Sequence, residues 1–423
     1  MRFTTALRGE VRRRVERIEK ADILVGIPSY NNEETIAHVV RMAGEGLAAY
    51  YPDLKCVVMV ADGGSTDDTR EVAFETEIPP WVEKIVTIYR GVPGKGTAFR
   101  AIFETVESLG IKACVVCDSD LRSITPEWIK HLANPIIKHG YQYVAPIYAR
   151  YKYDGTITNN IVYTLTRALY GKQIRQPIGG DFGFSNDLAK FYSDQNIWET
   201  DVARYGVDIW MTTLAITEGF RICQSRLGVK IHDPKDPATA LGAMFREVVM
   251  TLFTLMSDYE DLWKGIKGSS QTEIFGEEKM PEPESVQIDL PKLLDNFRLG
   301  FEHFGVLWKE VIEPASFNEL VKIAQLGVKD IPISHLMEQF YMPVELWVKI
   351  LYDFAATFHK WTKDRYKLVD VMTPLYYGKI ASFVIQTKDM STIQAEEVID
   401  EEAVVFEKLK PYLLDKWEGK HEK

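Results

Sequence analysis

The first half of the chain repeats one pattern, in which a short apolar run is followed by polar residues and then by a segment with helical spacing. The apolar runs begin at residues 23, 56, 82, 113 and 141. Such alternation predicts right-handed β-α-β units and a mostly parallel sheet. Because ligands of open α/β sheets bind at the carboxyl ends of the strands, we expect the functional residues in the polar loops that follow these runs.

The fourth run, from Ala113 to Cys117, ends in Asp118, Ser119 and Asp120. Residues i and i+2 of an extended chain point to the same side, so both carboxylates should face one cavity. Two like charges this close repel each other unless a cation lies between them or they share a proton. The pattern favours Mg²⁺ or Mn²⁺ completed by a substrate phosphate. The alternative is a polar turn in which Asp118 caps a backbone amide.

Three other loops carry residues that suit a nucleotide ligand, and each also has a purely structural interpretation. Asp62 precedes two glycines where a ribose or base edge could be held, although Ser65 or Thr66 as a helix N-cap explains most of that motif. Lys95 lies between two glycines and suits a phosphate, but a solvent-exposed lysine in a turn has the same pattern. Gly179-Gly180 permits close approach of a ligand or forms a tight turn.

Composition narrows the class of protein. The 423 residues carry a formal net charge of −11, which argues against a nucleic-acid partner bound through a basic surface. No apolar run has the length of a membrane span, and the four cysteines form no zinc or disulfide pattern. We therefore expect a cytoplasmic protein with no membrane span.

Two domains are expected from a chain of this length. The first, residues 1–237, would be the catalytic α/β domain, with a charged N-terminal helix over residues 1–20. The second, residues 238–423, would be mainly helical, with a linker or long loop near residues 265–291 that is rich in Gly, Ser, Glu and Pro.

Taken in order, the motifs resemble the donor half of GT-A glycosyltransferases. The similarity extends over roughly residues 23–237, from I-P-S-Y-N-N-E through D-G-G-S-T-D-D-T, G-K-G and D-S-D. Q-P-I-G-G-D, Y-G-V-D and His232 look like the retaining glucosyl-3-phosphoglycerate synthases and mannosylglycerate synthases. The resemblance implies a GT-A fold, that is, a Rossmann-like, mostly parallel sheet, with a helical C-terminal region.

The resemblance also implies roles for individual residues. Asp120 and His232 would ligate Mg²⁺ or Mn²⁺, and Asp181, after the two glycines, would approach the donor sugar. The donor nucleotide sugar would be held by residues of five loops, namely Pro28, Ser29, Tyr30, Glu33, Asp62, Ser65, Lys95, Asp118, Ser119, Gly179 and Gly180. Asp208 is our candidate for orienting the acceptor hydroxyl, with a first-turn helix carboxylate as the alternative.

The acceptor region departs from those relatives. The phosphoglycerate enzymes have a segment similar to G-R-V-T where this chain has Gly155-Thr156-Ile157-Thr158. The arginine that would pair with a phosphate is therefore absent from this segment. Asp233 follows His232 where they place another arginine. Thr158 can still hydrogen-bond a carboxylate. We therefore expect a small hydroxy acid such as glycerate to be preferred over 3-phosphoglycerate, unless Lys172 or Arg175 supplies the charge.

The expected function is metal-dependent, retaining transfer of a hexose from GDP-mannose, GDP-glucose or UDP-glucose to a small hydroxy acid, as in compatible-solute synthesis. One alternative is an inverting family 2-like enzyme acting on a polyprenyl phosphate or glycan, with Asp208 or Asp181 as general base. Another is a non-catalytic binder of nucleotide sugars. Homodimerisation is left open.

Overall fold

The computed structural model describes residues 4–232, 242–277, 282–325 and 340–419, and these divide into two compact units. The first contains Met1–Ala149, Ile174–Asp233 and Gln271–Glu284, and the second contains Arg150–Gln173, Pro234–Ser270 and Ser285–Lys423. By packing, residues 150–173 therefore group with the second unit. The domain division at residue 237 stays a prediction, and Asp233 and residues 234–241 lie outside the described residues.

The first unit is built on an eight-stranded sheet in the order β10-β8-β5-β7-β4-β1-β2-β3. All its pairings are parallel except those of β7. This confirms the predicted α/β, mostly parallel sheet. The strands of the chain are β1 Ile23–Ser29, β2 Cys56–Asp62, β3 Glu83–Ile88, β4 Ala113–Val116, β5 Tyr143–Ala149, β6 Lys172–Gln173, β7 Phe182–Ser185, β8 Ile222–Val229, β9 Ser270–Gln271 and β10 Glu273–Phe275.

Two strands of this sheet were not expected from the sequence. β7 lies between β4 and β5, runs antiparallel to both and begins directly after the Q-P-I-G-G-D motif. β10 extends the sheet beside β8, inside the segment near residues 265–291 that was predicted to be a linker. Both strands are only three or four residues long, so neither carries an alternating pattern long enough to recognise.

Helices cover the sheet and leave the loops after β1, β2 and β4 clustered at one edge. The core side chains of β1, β2 and β4 are fully buried, as in the predicted near-continuous apolar runs. The helices of the first unit are α1 Gly9–Ile18, α2 Ile36–Tyr50, α3 Thr69–Glu75, α4 Lys95–Leu109, α5 Pro126–His139, α7 Asn186–Ser193 and α8 Val207–Thr217, with a 3₁₀ turn at Asp201–Ala203; α6, Tyr163–Tyr170, belongs to the second unit.

The second unit is helical, as predicted for the C-terminal region. It begins with a π-helical turn, Thr158–Val162, that continues into α6. The remaining helices are Gly242–Asp258, Glu260–Trp263, Leu290–Val311, Pro314–Gln325, Val344–Lys360, Arg365–Asp370, Thr373–Thr387, Thr392–Lys408 and Lys410–Trp417.

One helical segment in the described part of the chain, Arg365–Thr387, is long and apolar enough to cross a membrane by length and composition alone. In this structure 72% of its most apolar stretch is buried within the protein. It also contains Lys379, which is buried and forms an ion pair of 2.5 Å with Glu402. A buried core helix passes the same test of length, and the absence of a membrane span stays a prediction.

Candidate active site

Hydrogen bonds between residues of the predicted motifs connect the loop after β1 with the loop after β4. Ser119 Oγ donates to Asn32 Oδ1 at 2.7 Å, and Thr35 Oγ1 donates to the Ser119 carbonyl oxygen at 2.8 Å. Ser119 is nearly buried. Its hydroxyl and carbonyl therefore hold the D-S-D loop against the first loop, while its predicted contact with the nucleotide stays a prediction.

Ser29, Asp62 and Ser65, which were predicted separately, form one hydrogen-bonded group. Asp62 Oδ1 accepts the backbone N–H groups of Gly64 and Ser65, both at 2.8 Å. Its Oδ2 accepts the hydroxyls of Ser29 at 3.0 Å and Ser65 at 2.5 Å. Since Asp62 is fully buried, these four bonds use its carboxylate to order the loop.

The other residues predicted around the base and ribose differ in exposure. Tyr30 is 59% exposed and lies against the backbone of the Asp62 loop, where a Cβ on Gly63 would come within 3.2 Å of its ring. Glu33 Oε2 accepts the Asp68 N–H at 3.0 Å and so joins the first two loops. Pro28 is buried within β1. Among these three, Tyr30 alone presents a large apolar surface to solvent.

Lys95 begins α4 and reaches two of the predicted aspartates. Its Nζ lies 2.8 Å from Asp118 Oδ1 and 3.3 Å from Asp208 Oδ2. The preceding loop is closed by the Tyr89 hydroxyl, which accepts the Gly94 N–H at 2.9 Å and donates to the Gly94 carbonyl at 3.0 Å. The structure thus brings together three residues from loops far apart in the sequence.

Lys230 was missed by the sequence analysis and lies at the centre of this group. Its Nζ donates to Asp118 Oδ2 at 2.9 Å, Asp181 Oδ2 at 2.9 Å and the Gly179 carbonyl at 2.8 Å. The signal that could have found it is its spacing from His232. The two are residues i and i+2 directly after β8, the same spacing that singled out Asp118 and Asp120 after β4.

Asp181 is fully buried, and both of its oxygens are engaged within the protein. Oδ1 accepts the Asp118 N–H at 2.8 Å, and Oδ2 receives Lys230 and a very short hydrogen bond from the Tyr148 hydroxyl. The geometry therefore favours a positioning role for this carboxylate, and its predicted catalytic role and sugar contact stay predictions.

Gly180 is required by the approach of Asp118. Its φ is +87°, and a Cβ added there would lie 2.1 Å from Asp118 Oδ2. A residue with a side chain at this position would both strain the backbone and displace the carboxylate. The second glycine of G-G-D thus has a structural reason that does not depend on any ligand.

The charges in this group shift one another's protonation. Burial alone would raise the pKa of Asp118, but Lys230 and Lys95 together hold it well below its usual range. Burial likewise opposes the charge on Lys95, yet the carboxylates of Asp118 and Asp208 raise the pKa of Lys95 above its ordinary value. Asp118 is therefore an anion paired with two lysines, and its predicted contact with the nucleotide stays a prediction.

Asp208 differs from the other two aspartates because one of its oxygens is unused. Oδ2 faces Lys95, whereas the buried Oδ1 has no hydrogen-bond partner among the residues that the structure describes. Burial raises the pKa of Asp208, and Lys95 only partly offsets this. A buried acceptor without a partner is costly, so Oδ1 is suited to receive a hydroxyl from a bound substrate.

Asp120 and His232 lie on segments that run side by side. Arg122 N–H donates to the Ile231 carbonyl at 2.9 Å, and Ile231 N–H donates to Ser123 Oγ at 2.8 Å. Within the described residues no three His, Cys, Asp or Glu side chains form a metal-binding group. The metal-ligand roles predicted for Asp120 and His232 stay predictions.

The predicted acceptor residues are distributed over both units. Thr158 lies in the π-helical turn of the second unit and is 2% exposed. Lys172 also belongs to the second unit, whereas Arg175 belongs to the first, where its N–H donates to Gln224 Oε1 at 2.7 Å. Asp233 lies outside the described residues.

Comparisons with solved structures returned glucosyl-3-phosphoglycerate synthase from Mycobacterium tuberculosis. Its complex with Mg²⁺ and UDP is 25% identical, with 57% of this chain and 83% of that chain covered and a TM-score of 0.44. Its complex with Mn²⁺, UDP-glucose and phosphoglyceric acid is 24% identical over the same shares, also with a TM-score of 0.44. At these TM-scores the likeness assigns no substrate to this chain.

A comparison with curated proteins found no match. Residues 24–196 match the family model described as glycosyl transferase family 2. This range contains β1 to β7, the Asp62 loop, Lys95 and the D-S-D motif. Over these residues, which make up less than half of the chain, the protein is therefore similar to glycosyl transferase family 2.

Proposed function

We propose that this protein transfers a hexose from a nucleoside diphosphate sugar to a small hydroxy acid, with retention of the anomeric configuration and with Mg²⁺ or Mn²⁺. The observation that carries the proposal is the group formed by Lys95, Asp118 and Asp208 at the carboxyl edge of the sheet. Lys95 and Asp118 lie within the residues that match the glycosyl transferase family 2 model. The donors would be UDP-glucose, GDP-glucose or GDP-mannose, and the acceptor glycerate or 3-phosphoglycerate.

The donor would bind across the loops after β1, β2 and β4. The exposed face of Tyr30 suits stacking on the base, and Pro28, Ser29, Glu33, Asp62 and Ser65 would form the surrounding pocket. Lys95, whose side chain is 16% exposed, would donate to the diphosphate. Asp118 and Ser119 would shape this wall of the pocket, and Gly179-Gly180 would lie beside the sugar.

Breaking the anomeric bond builds negative charge on the departing diphosphate and positive charge on the sugar. Asp120 and His232 would hold the divalent ion, which when bound neutralises the diphosphate as it leaves. Lys95 would add a second positive charge there. The unpartnered Oδ1 of Asp208 would accept the attacking hydroxyl and orient it towards the sugar.

The acceptor would contact Thr158, whose hydroxyl can donate to a carboxylate. The segment Gly155-Thr156-Ile157-Thr158 contains no arginine that would pair with a phosphate. We therefore propose glycerate as the better acceptor, with a higher kcat/KM than 3-phosphoglycerate. Thr158→Val should reduce acceptor use more than donor hydrolysis, and a clear preference for the phosphorylated acid in competition would contradict this choice.

The metal assignment is tested by Asp120→Ala and His232→Ala, assayed at low Mn²⁺ with each donor. Both should lose turnover by about a hundredfold or more, because each removes a ligand of the ion that holds the diphosphate. Asp53→Ala and His303→Ala are matched controls, since both side chains are exposed and neither lies in the loops after β1, β2 and β4. Turnover near that of the wild type in either ligand variant would reject the assignment.

A second candidate function is inverting transfer to a polyprenyl phosphate or glycan, and the raised pKa of Asp208 favours it. A buried carboxylate whose pKa is raised towards neutrality is better suited to act as a general base. NMR of the first-formed product separates the two candidates by the anomeric configuration. If the wild-type protein binds a nucleotide sugar but neither transfers nor hydrolyses it, the protein is a binder rather than an enzyme.

A cytoplasmic location and a homodimer remain proposals as well.

A further inference from the structure

Lys230 has a set of contacts that no motif assigned. Its side chain is only 4% exposed, and the ammonium group lies between Asp118, Asp181 and the Gly179 carbonyl. The ring of Tyr148 lies 5.0 Å from the same nitrogen. Burying an ammonium group removes its hydration, and this cost is offset only when its hydrogen-bond partners are held in place. The position of Lys230 and the positions of its partners therefore depend on one another.

The two lysines pair with different oxygens of the Asp118 carboxylate. Lys95 faces Oδ1, and Lys230 faces Oδ2, at 2.8 and 2.9 Å. Lys95 also reaches Asp208, while Lys230 also reaches Asp181. Two cations therefore alternate with three carboxylates. Without Lys230, Lys95 would be the single ammonium within this group to balance the charges of all three carboxylates.

We propose that Lys230 is a positioning residue for the donor's diphosphate and acts through Asp118 on Lys95. It neutralises the inner sides of Asp118 and Asp181, so that Asp118 presents Oδ1 to Lys95 and the Lys95 ammonium stays at the more exposed end of the group. The difference in exposure, 16% for Lys95 against 4% for Lys230, decides which lysine meets the ligand. This inference rests on the proposed function and deepens it.

The first test is Lys230→Met, which keeps much of the side-chain volume and removes the charge. Inorganic diphosphate, which has no base or sugar, is titrated by calorimetry in the presence of Mg²⁺. We expect binding to weaken about tenfold to a hundredfold, the equivalent of one charge-assisted hydrogen bond. With the donor that the wild-type enzyme uses, KM should rise by a similar factor while kcat changes much less.

A second variant separates this electrostatic role from simple packing. Lys230→Met combined with Asp181→Asn removes one negative charge together with the positive one, while the asparagine oxygen can still accept the Asp118 N–H. We expect the double variant to recover most of the diphosphate affinity and of the thermal stability. A packing role for the lysine stem predicts no recovery, because both variants carry the same methionine.

Lys379→Met is the matched control, since Lys379 is an equally buried, ion-paired lysine in the second unit. It should lose stability but keep the diphosphate affinity. The inference is overturned if Lys230→Met binds diphosphate as the wild type does, if the double variant is no better than the single one, or if the wild type binds no diphosphate. If Lys230→Met does not fold, the double variant alone decides. Failure of the proposed function is distinct, because diphosphate would then bind without any sugar transfer by the wild type.

Discussion

Replacing Gly180 by alanine is the sharpest test of the packing around Asp118. The φ of +87° costs an alanine about 1–2 kcal/mol, because its Cβ crowds the backbone in this region. In addition, the new Cβ would lie 2.1 Å from Asp118 Oδ2, whereas ordinary contacts begin at 3.4 Å. The carboxylate must therefore retreat by roughly 1.3 Å. That movement breaks its contact with at least one of the two lysines.

Each of those contacts is a charge-assisted hydrogen bond worth about 1.5–3 kcal/mol. Gly180→Ala should therefore lower the free energy of unfolding of the first unit by about 3–5 kcal/mol. Gly64 provides a matched control, because its φ is also +87° but a Cβ there would meet no atom within 4 Å. Gly64→Ala should cost only the backbone term of about 1–2 kcal/mol.

The assay is urea unfolding of both variants and the wild type, with hydrogen exchange of the β4 and β7 amides to locate the loss in the first unit. Equal losses of stability in the two variants, within about 0.5 kcal/mol, would refute the contact between Gly180 and Asp118 as the cause. A larger loss in Gly64→Ala would refute it as well.

Two further predictions concern buried carboxylates. Asp62→Ala should lower the free energy of unfolding by about 3–5 kcal/mol because it strands two N–H groups and two hydroxyls, whereas Asp68→Ala, at an exposed position, should change it by less than about 0.5 kcal/mol; comparable losses in urea unfolding would contradict this account. Asp353 accepts the Tyr412 hydroxyl at 2.6 Å and the Glu313 N–H at 2.8 Å, and burial raises its pKa from 3.8 to about 6. The folded state therefore binds this proton more tightly than the unfolded state. The contribution of Asp353 to stability is complete below about pH 4, and about 3 kcal/mol of it is lost as the pH rises through 6. Asp353→Asn, which mimics the protonated acid, should remove this part of the pH dependence, and a difference between wild type and variant that stays constant from pH 4 to 7 would show the prediction to be wrong.

The sequence by itself determined the fold class and the edge of the sheet that carries the site. The first five strands, β1 to β5, begin within two residues of the predicted positions. The reason is local. A buried strand requires a short apolar run, and two parallel strands that follow one another in the chain require a helix to connect them. The polar loops after β1, β2 and β4 could be predicted to meet for the same reason. The family match over residues 24–196 confirms the glycosyltransferase resemblance that these loops suggested.

What the tertiary structure alone decided is how the charged residues at this edge pair. Asp118 and Lys230 are 112 positions apart, and their contact depends on β8 and β4 belonging to one sheet, with β5 and the short, antiparallel β7 between them. A sequence pattern does not show whether a polar side chain is buried, nor which partner offsets the cost of burying it. Both depend on residues that are distant in the chain. For that reason the hydrogen bonds that engage both oxygens of Asp62 and of Asp181 within the protein could not be predicted, and Lys230 was missed. The ligand contacts predicted for the two aspartates stay predictions.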